Sequence, residues 1–297
     1  MEYLVSTATL PYRRLETLFH VANRAGADGL ELVLPTGLDA IDTAAIKRLE
    51  RAYEVPIRSV HVPLRVRQPS PDRLAQDIVQ SARIASDLPS CTVLVTHAPG
   101  VRNLHEPAAH DWLRALEQAR SIVDSKQMVI TVENAGKPTA TSRTHFLDHP
   151  ERLRWLAEEW ALGITFDCAH AASCNWEISE TVDYLLRHVH NVHLSDRASG
   201  PSRSALWTAL LHDHRSPGTG SLPLRRFLRR LRYSGYHGLI TLELSPVAAH
   251  AWRTTTTTAI MREALAFCRR EAQPVDRPSA ADQSPTDPNR LPREGSA

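Results

Sequence analysis

The sequence predicts an α/β protein that folds as a (β/α)8 TIM barrel in a single domain. Eight short apolar runs, each followed by a helical pattern, form one uninterrupted series. The segment after the first run, Thr7-Ala-Thr-Leu-Pro11, has no glycine. It therefore lacks the phosphate-binding loop that a doubly wound open sheet usually carries, which also argues against a nucleotide cofactor. With 297 residues, the chain is long enough to bury a full core.

The predicted strands are 3–7, 29–34, 57–62, 92–97, 128–133, 163–167, 190–195 and 238–244. The predicted helices are 12–25, 39–53, 71–88, 106–124, 150–160, 177–187, 222–233 and 252–270. In the first helix, for example, Leu15, Leu18, Phe19 and Ala22 recur at helical spacing. After about Gln273 the chain turns to Pro, Asp, Ser, Arg and Asn. We therefore expect a barrel over 1–272 and a disordered tail over 273–297.

Residues two apart share a face of a strand, and this rule sorts the polar residues from the apolar ones. The pairs predicted to point into the barrel are Ser59/His61, Val95/His97, Thr131/Glu133, Thr165/Asp167, Asn191/His193 and Thr241/Glu243. The residues between them are almost all large and apolar and should pack under the helices. A ring of His, Asp and Glu is thus expected at the C-terminal mouth, where the active sites of such barrels lie.

Converging carboxylates repel each other unless a cation or shared protons neutralise them. The mixed oxygen and nitrogen ligands suit Mn, Zn, Co, Mg or Fe rather than Cu(I). Asp167 ends an apolar run and His170 follows three residues later, so the two could share one ion, or hold one ion and one substrate oxygen. The alternative is a hydrogen-bonded loop pair. A single His or Glu at the end of a strand is more often a polar group with ordinary hydrogen bonds. Six such residues at the same end of successive strands are not six independent coincidences.

Composition restricts the class of protein. The formal net charge of +2 gives no basic field that would demand a nucleic acid partner. The four cysteines contain no Cys-x-x-Cys pair, which argues against a disulfide framework or a thiolate zinc site. No apolar run approaches the roughly 18 residues of a membrane span, and the N-terminus lacks the layout of a signal peptide. We expect a cytoplasmic protein.

Five motifs together carry a family resemblance. They are Val132-Glu-Asn134, Phe166-Asp-Cys-Ala-His170, Val192-His-Leu-Ser-Asp196, Pro217-Gly-Thr-Gly220 and Gly235-Tyr-His-Gly-Leu-Ile-Thr-Leu-Glu243. Over about residues 1–270 the chain resembles the xylose isomerase-like TIM-barrel superfamily. That superfamily contains sugar isomerases, 3-epimerases, inosose dehydratases and endonuclease IV, the AP endonuclease family 2.

The resemblance to the epimerases implies one divalent ion (Mn, Zn or Co) held by Glu133, Asp167, His193 and Glu243. Glu133 and Glu243 would exchange the α-proton of a sugar, sugar phosphate or polyol from opposite sides, and His170 would contact the substrate. This chemistry needs a carbonyl and a hydroxyl on adjacent carbons. The first hypothesis is therefore a metal-dependent isomerase or epimerase of a small sugar-like substrate.

The resemblance to endonuclease IV extends to further histidines. His61 and His97 lie where that family places ligands, and its Asp-x-His motif corresponds to His212-Asp-His214, with His212 in place of the aspartate. The second hypothesis is accordingly a multinuclear zinc hydrolase of a phosphodiester or of another ester or amide. Alternatively, these histidines orient a sugar or support the ligands. Val-Pro-Leu-Arg after His61 lacks the Tyr-Leu pair of the endonuclease, and the small net charge also argues against DNA.

Several other side chains are candidates for substrate contacts. Arg197 and Arg203 could bind a substrate carboxylate or phosphate, and Trp176 could stack on a sugar or base. Alternatively, the two arginines lie on a solvated surface and Trp176 packs a loop. A local anion site at Arg65, Arg67 and Arg102 is also compatible with the sequence, as is an oligomer. The third hypothesis, motivated by His212, is a non-catalytic binding barrel.

Overall fold

The computed structural model of the chain describes residues 1–10, 14–64, 70–137, 145–200, 204 and 207–273. Its strands are β1 (Glu2–Ser6), β2 (Gly29–Val33), β3 (Ile57–His61), β4 (Val93–Thr96), β5 (Val129–Glu133), β6 (Gly163–Asp167), β7 (Val189–Leu194) and β8 (Leu239–Leu242). Its helices are α1 (Leu15–Ala25), α2 (Thr43–Tyr53), α3 (Pro71–Asp87), α4 (Pro107–Val123), α5 (Pro150–Glu159), α6 (Cys168–Ser173), α7 (Ile178–Leu185), α8 (Leu224–Tyr233) and α9 (Thr254–Glu271).

The eight strands form a closed parallel barrel in sequence order, with β1 paired to both β2 and β8. This confirms the predicted TIM barrel, and the predicted strands and helices agree with the observed ones to within a few residues. The short helix α6, which begins directly after β6, was not predicted. The segment between β7 and α8 also contains a single π-helical turn, Thr208–His212.

Local sequence signals set several helix starts. The Ser70 hydroxyl accepts a hydrogen bond from the backbone N–H of Arg73, and Pro71 follows at the first helical position of α3. The Asp42 side chain caps α2 in the same way. Helix α1 ends at Gly26, whose φ of 78° is a conformation that glycine adopts without strain. Interactions between residues that are close in the sequence therefore set where these helices begin and end.

The inward and outward faces of the strands are those that alternation predicts. Outward residues such as Val60, Phe166 and Val192 are fully buried in the large core between barrel and helices. A small separate apolar cluster faces inward and consists of Leu4, Val93, Val95 and Leu239. Polar, fully buried residues occupy inward positions at the middle of six strands: Glu31, Ser59, Thr131, Thr165, Asn191 and Thr241. The barrel interior is therefore a hydrogen-bonded polar layer that leads to the mouth.

Some predictions concern residues outside those described. These are the residues Arg65, Arg67 and Arg203, and the tail except for Gln273. All four cysteines lie in described segments and are unpaired. No described helix has both the length and the apolar character needed to cross a bilayer.

Candidate metal centre at the barrel mouth

Four predicted ligands come together at the C-terminal mouth. Glu133, Asp167, His193 and Glu243 each offer one ligand atom, and these atoms all lie within 4.8 Å of one another. The first three end or nearly end β5, β6 and β7, and Glu243 directly follows β8. Asp167 pairs with His193 across the β6–β7 ladder. Strand register alone therefore places ligands side by side although they are far apart in the sequence.

Asn134 fixes the position of Asp167 relative to Glu133. Its side-chain oxygen accepts the backbone N–H of Asp167 at 2.7 Å, and its Nδ2 donates to the carbonyl of Asp167 at 3.1 Å. Asn134 is fully buried, so its side chain extends the β5–β6 pairing beyond the last residue of β5. The Val-Glu-Asn motif thus combines a ligand with the residue that aligns the next one.

The Asp167-x-x-His170 spacing is a helix cap. Asp167 Oδ1 accepts the backbone N–H of His170 at 2.6 Å and so starts α6, which lies at the mouth. His170 Nδ1 lies 2.9 Å from Glu133 Oε1. The loop after β5 passes close over this ring, because a Cβ on Gly136 would come within 2.6 Å of His170 Cδ2. The backbone and Glu133 together fix the orientation of His170.

A loop anchored on Asp196 positions His214. The buried carboxylate of Asp196 accepts the backbone N–H groups of Gly218 and Gly220, both at 2.9 Å. A Cβ on Gly220 would overlap Asp196 Oδ1, which explains the second glycine of the Gly-Thr-Gly sequence. His214 has a φ of 53°, an uncommon conformation for a residue other than glycine that often marks a functional position.

Unpaired polar atoms in the centre fit a cation. Among the described residues, His193 Nδ1 and Asp167 Oδ2 are buried and have no hydrogen-bond partner. His193 Nδ1 nevertheless lies 2.9 Å from Glu243 Oε2 and 3.4 Å from Glu133 Oε2. Buried polar atoms without partners are costly, and a divalent ion would satisfy all of these groups at once.

Two further ligand groups flank this set and share its carboxylates. His61 and His97 form one group with Glu133, and His170 and His214 form another with Asp167. The Nε2 atoms of His61 and His97 are 3.1 Å apart and lie 3.3 Å and 3.5 Å from Glu133 Oε2. The predicted histidines other than His212 therefore converge on the centre.

Mutual electrostatics favour the charged forms of Glu133, Glu243 and His170, whereas burial raises the pKa of Asp167. Burial alone would raise the pKa of Glu243, but His193 and His214 lower it to about 2. Burial likewise opposes ionisation of Glu133, whose pKa the neighbouring histidines hold well below its usual range. Burial would lower the pKa of His170, but Asp167 and Glu133 raise it to about 10. In metal-free protein, imidazolium protons therefore supply positive charge beside the carboxylates.

Three other predicted site residues are engaged elsewhere. His212 places Nδ1 at 2.9 Å from Asp213 Oδ1 and Nε2 at 2.9 Å from the Gly200 carbonyl, so both ring nitrogens are used outside the three groups. The Nε of Arg197 donates to the same Asp213 Oδ1 at 2.7 Å. Trp176 Nε1 donates to the Asp148 carbonyl at 3.0 Å.

Glu31 in β2 is a site residue that the sequence reasoning missed. It is fully buried, and its Oε2 lies 3.1 Å from His193 Nε2. Alternation would have pointed it inward, between the outward Leu30 and Leu32. A glutamate at a buried position needs a hydrogen-bonding or charged partner. Its presence between two leucines of a buried strand therefore indicates a polar neighbour inside the barrel.

A cavity of about 410 Å³, lined by apolar residues together with Asp77 and Glu106, opens beside the centre at His97. Its lining includes Val62, Leu64 and Leu74, together with the segment 98–101 after β4. A second cavity of about 670 Å³ shares Leu64 and lies over the ends of β1 and β2. The mouth thus offers room next to the ligand groups on the side of the first strands.

Comparisons with known proteins agree with this architecture. A family profile described as a xylose isomerase-like TIM barrel matches residues 19–271. An uncharacterised protein of Mycobacterium tuberculosis is 25% identical over 287 residues, which cover 89% of this chain and 95% of that protein.

Two solved structures illustrate the structural likeness. D-allulose 3-epimerase from Methylomonas sp., in complex with D-allulose, superposes with a TM-score of 0.70 at 15% identity and covers 91% of this chain and 97% of its own. An AP endonuclease of family 2 from Brucella melitensis gives a TM-score of 0.63 at 15% identity, over 85% of this chain and 98% of its own. At such identities the likeness concerns the fold.

Proposed function

Because the chain belongs to the xylose isomerase-like TIM-barrel family, we propose that it is a metal-dependent isomerase or epimerase of a sugar, sugar phosphate or polyol. The observation that carries the proposal is the convergence of Glu133, Asp167, His193 and Glu243 within 4.8 Å. The unpaired His193 Nδ1 and Asp167 Oδ2 support a divalent ion, Mn, Zn or Co, at this point. The epimerase structure with bound D-allulose supports a sugar-like substrate.

The proposed chemistry is proton exchange at the carbon next to a carbonyl. A divalent ion bound here would withdraw electron density from neighbouring carbonyl and hydroxyl oxygens and make the intervening C–H more acidic. Glu133 and Glu243 are both held ionised, so either carboxylate can accept that proton. For an epimer, the other glutamate takes a proton from solvent and delivers it to the opposite face of the same carbon, while the first glutamate releases its proton to solvent; for an isomer, the first glutamate returns its proton to the adjacent carbon as a proton moves between the two substrate oxygens.

Neighbouring histidines orient Glu133 and Glu243. His170 Nδ1 lies 2.9 Å from Glu133 Oε1, and His193 Nδ1 lies 2.9 Å from Glu243 Oε2. Arg197 and Trp176 stay proposed substrate contacts, with Arg197 Nε bound to Asp213 Oδ1 and Trp176 Nε1 bound to the Asp148 carbonyl. The unpaired cysteines agree with a reducing compartment, and we propose a cytoplasmic location.

Solvent exchange tests the mechanism. The protein, loaded with Mn²⁺, Co²⁺ or Zn²⁺, is incubated in D₂O with a panel of ketoses, aldoses and their phosphates. We expect deuterium at the carbon next to the carbonyl, followed by NMR. Glu243→Gln should abolish this exchange, whereas Glu50→Gln, which alters a buried carboxylate outside the centre, should retain it. Unchanged exchange in Glu243→Gln would refute the mechanism.

A second function, multinuclear hydrolysis of a phosphodiester or of another ester or amide, is favoured by the two flanking groups around His61/His97 and His170/His214. The two functions differ in metal content. One exchangeable ion per chain, measured by elemental analysis, favours the isomerase. Two or three tightly held zinc ions, with hydrolysis lost in His97→Ala and His214→Ala, favour the hydrolase. Because both ring nitrogens of His212 are bound elsewhere, the group around His170 and His214 has only three candidate ligands among the described residues.

A further inference from the structure

We propose that Glu31 is the positioning residue of the metal centre, because it holds the Nε2–H of His193 and thereby directs Nδ1 at the ion. The inference rests on the proposed metal site and adds to it a residue outside the ligand set. It assigns a role to a buried carboxylate that the proton-exchange chemistry does not use.

The hydrogen bonds around Glu31 determine which nitrogen of His193 carries the proton. Glu31 Oε2 accepts from Ser59 Oγ at 2.9 Å and from Asn191 Nδ2 at 3.0 Å, and it lies 3.1 Å from His193 Nε2. Thr241 Oγ1 donates to Asn191 Oδ1 at 2.9 Å, which fixes the amide with its NH₂ group toward Glu31. An ionised carboxylate only accepts, so Nε2 is the donor.

The other face of the same ring then becomes the ligand. His193 is fully buried, and its Nδ1 faces Glu243 Oε2 and Glu133 Oε2 without an aligned hydrogen bond in the described structure. Because Glu31 holds the Nε2 proton, Nδ1 is the ring nitrogen whose lone pair would bind a divalent ion placed among the carboxylates. A metal-ligating histidine typically has its second nitrogen bound to a carboxylate or carbonyl in this way.

Glu31 also places negative charge behind the ligand. Its Oε1 is buried and has no hydrogen-bond partner among the described residues. A carboxylate that contacts the far side of the imidazole makes the ring a stronger donor to a cation. Glu31 therefore acts through His193 and does not itself need to reach the ion or the substrate.

The competing explanation is purely structural, since Glu31 also links β2 to β3 and β7 through Ser59 and Asn191. A structural role predicts a less stable barrel with unchanged metal affinity. A positioning role predicts weaker metal binding and an altered His193 ring even where the barrel stays folded. The two explanations thus differ in properties that do not depend on turnover.

The test compares Glu31→Gln with wild type and with Glu50→Gln. Glu50 is a matched control because it is a buried carboxylate that accepts the backbone N–H of Ile57 at 2.8 Å, outside the ligand groups. Metal-stripped full-length proteins are titrated with Zn²⁺ and Co²⁺ by calorimetry. We expect affinity to fall about 10- to 100-fold in Glu31→Gln and to change less than about 2-fold in Glu50→Gln.

Nitrogen-15 NMR of the zinc-loaded proteins gives the second readout. In wild type, His193 should show a metal-bound Nδ1 and a protonated, slowly exchanging Nε2, and this signal should shift in Glu31→Gln. Wild-type affinity in Glu31→Gln with an unchanged His193 spectrum would overturn the inference. Should Glu31→Gln not fold, the wild-type spectrum decides, because a protonated Nδ1 would contradict it. A wild-type protein that binds no metal would instead defeat the proposed function.

Discussion

Replacing Asn134 by alanine should destabilise the protein by about 2–6 kcal/mol and weaken metal binding at the same time. The substitution removes both hydrogen bonds of Asn134 to the backbone of Asp167, at 2.7 Å and 3.1 Å, inside a fully buried site. Each buried backbone group left without a partner costs about 1–3 kcal/mol, and the two costs together give the expected range. A water that enters the space would bring the result toward the lower value.

Urea denaturation of the metal-stripped protein measures the loss, and Asn23→Ala serves as the control. Asn23 also donates to a backbone carbonyl, that of Tyr53 at 2.9 Å, but it is exposed, so its removal should cost less than about 1 kcal/mol. Calorimetric titration with Zn²⁺ should show weaker binding only in Asn134→Ala. A variant within about 1 kcal/mol of wild type, with wild-type affinity, would show that Asn134 does not align Asp167.

Two further predictions follow from the charges and from the close contacts at the mouth. His170 has a pKa raised to about 10, so its contribution to stability is complete below pH 6.5 and lost as the pH rises toward 10. In metal-stripped protein the free energy of unfolding should fall by about 2–4 kcal/mol between pH 7 and 10, and His170→Gln should flatten that slope; an equally steep slope in the variant would contradict the assignment. Gly220→Ala should cost more than about 2 kcal/mol because its Cβ would overlap Asp196, whereas Gly37→Ala, with nothing within 4 Å of its Cβ, should change thermal stability little; equal midpoints for the two variants would argue against the anchored loop.

Alternation along strands was enough to predict the barrel and the convergence of the candidate ligands. The inward positions of Glu133, Asp167 and His193 follow from a period of two, and the parallel register then brings them together without further information. The same rule applied to β2 would have found Glu31. Glu31 lies in the middle of its strand, away from the strand ends that carry the other candidate residues.

Loop residues were predicted less well, because their orientation depends on tertiary contacts rather than on periodicity. His212 and His214 are two residues apart, yet only His214 joins a ligand group. The ring of His212 is held by Asp213 and by the Gly200 carbonyl, and neither contact follows from a sequence pattern. The cap that Asp167 forms on α6 was likewise not anticipated, although Asp-x-x-His is compatible with one.

The four central ligands come from four consecutive strands, β5 to β8, or from the residue directly after the strand. The second half of the barrel therefore contains all four candidate ligands of the central set. The first half contributes His61, His97, Glu31 and most of the cavity beside His97. Under the proposed function, substitutions between β1 and α4 would reshape the cavity beside His97 while all four candidate ligands are retained, so specificity would evolve in one half of the chain without changes in the other.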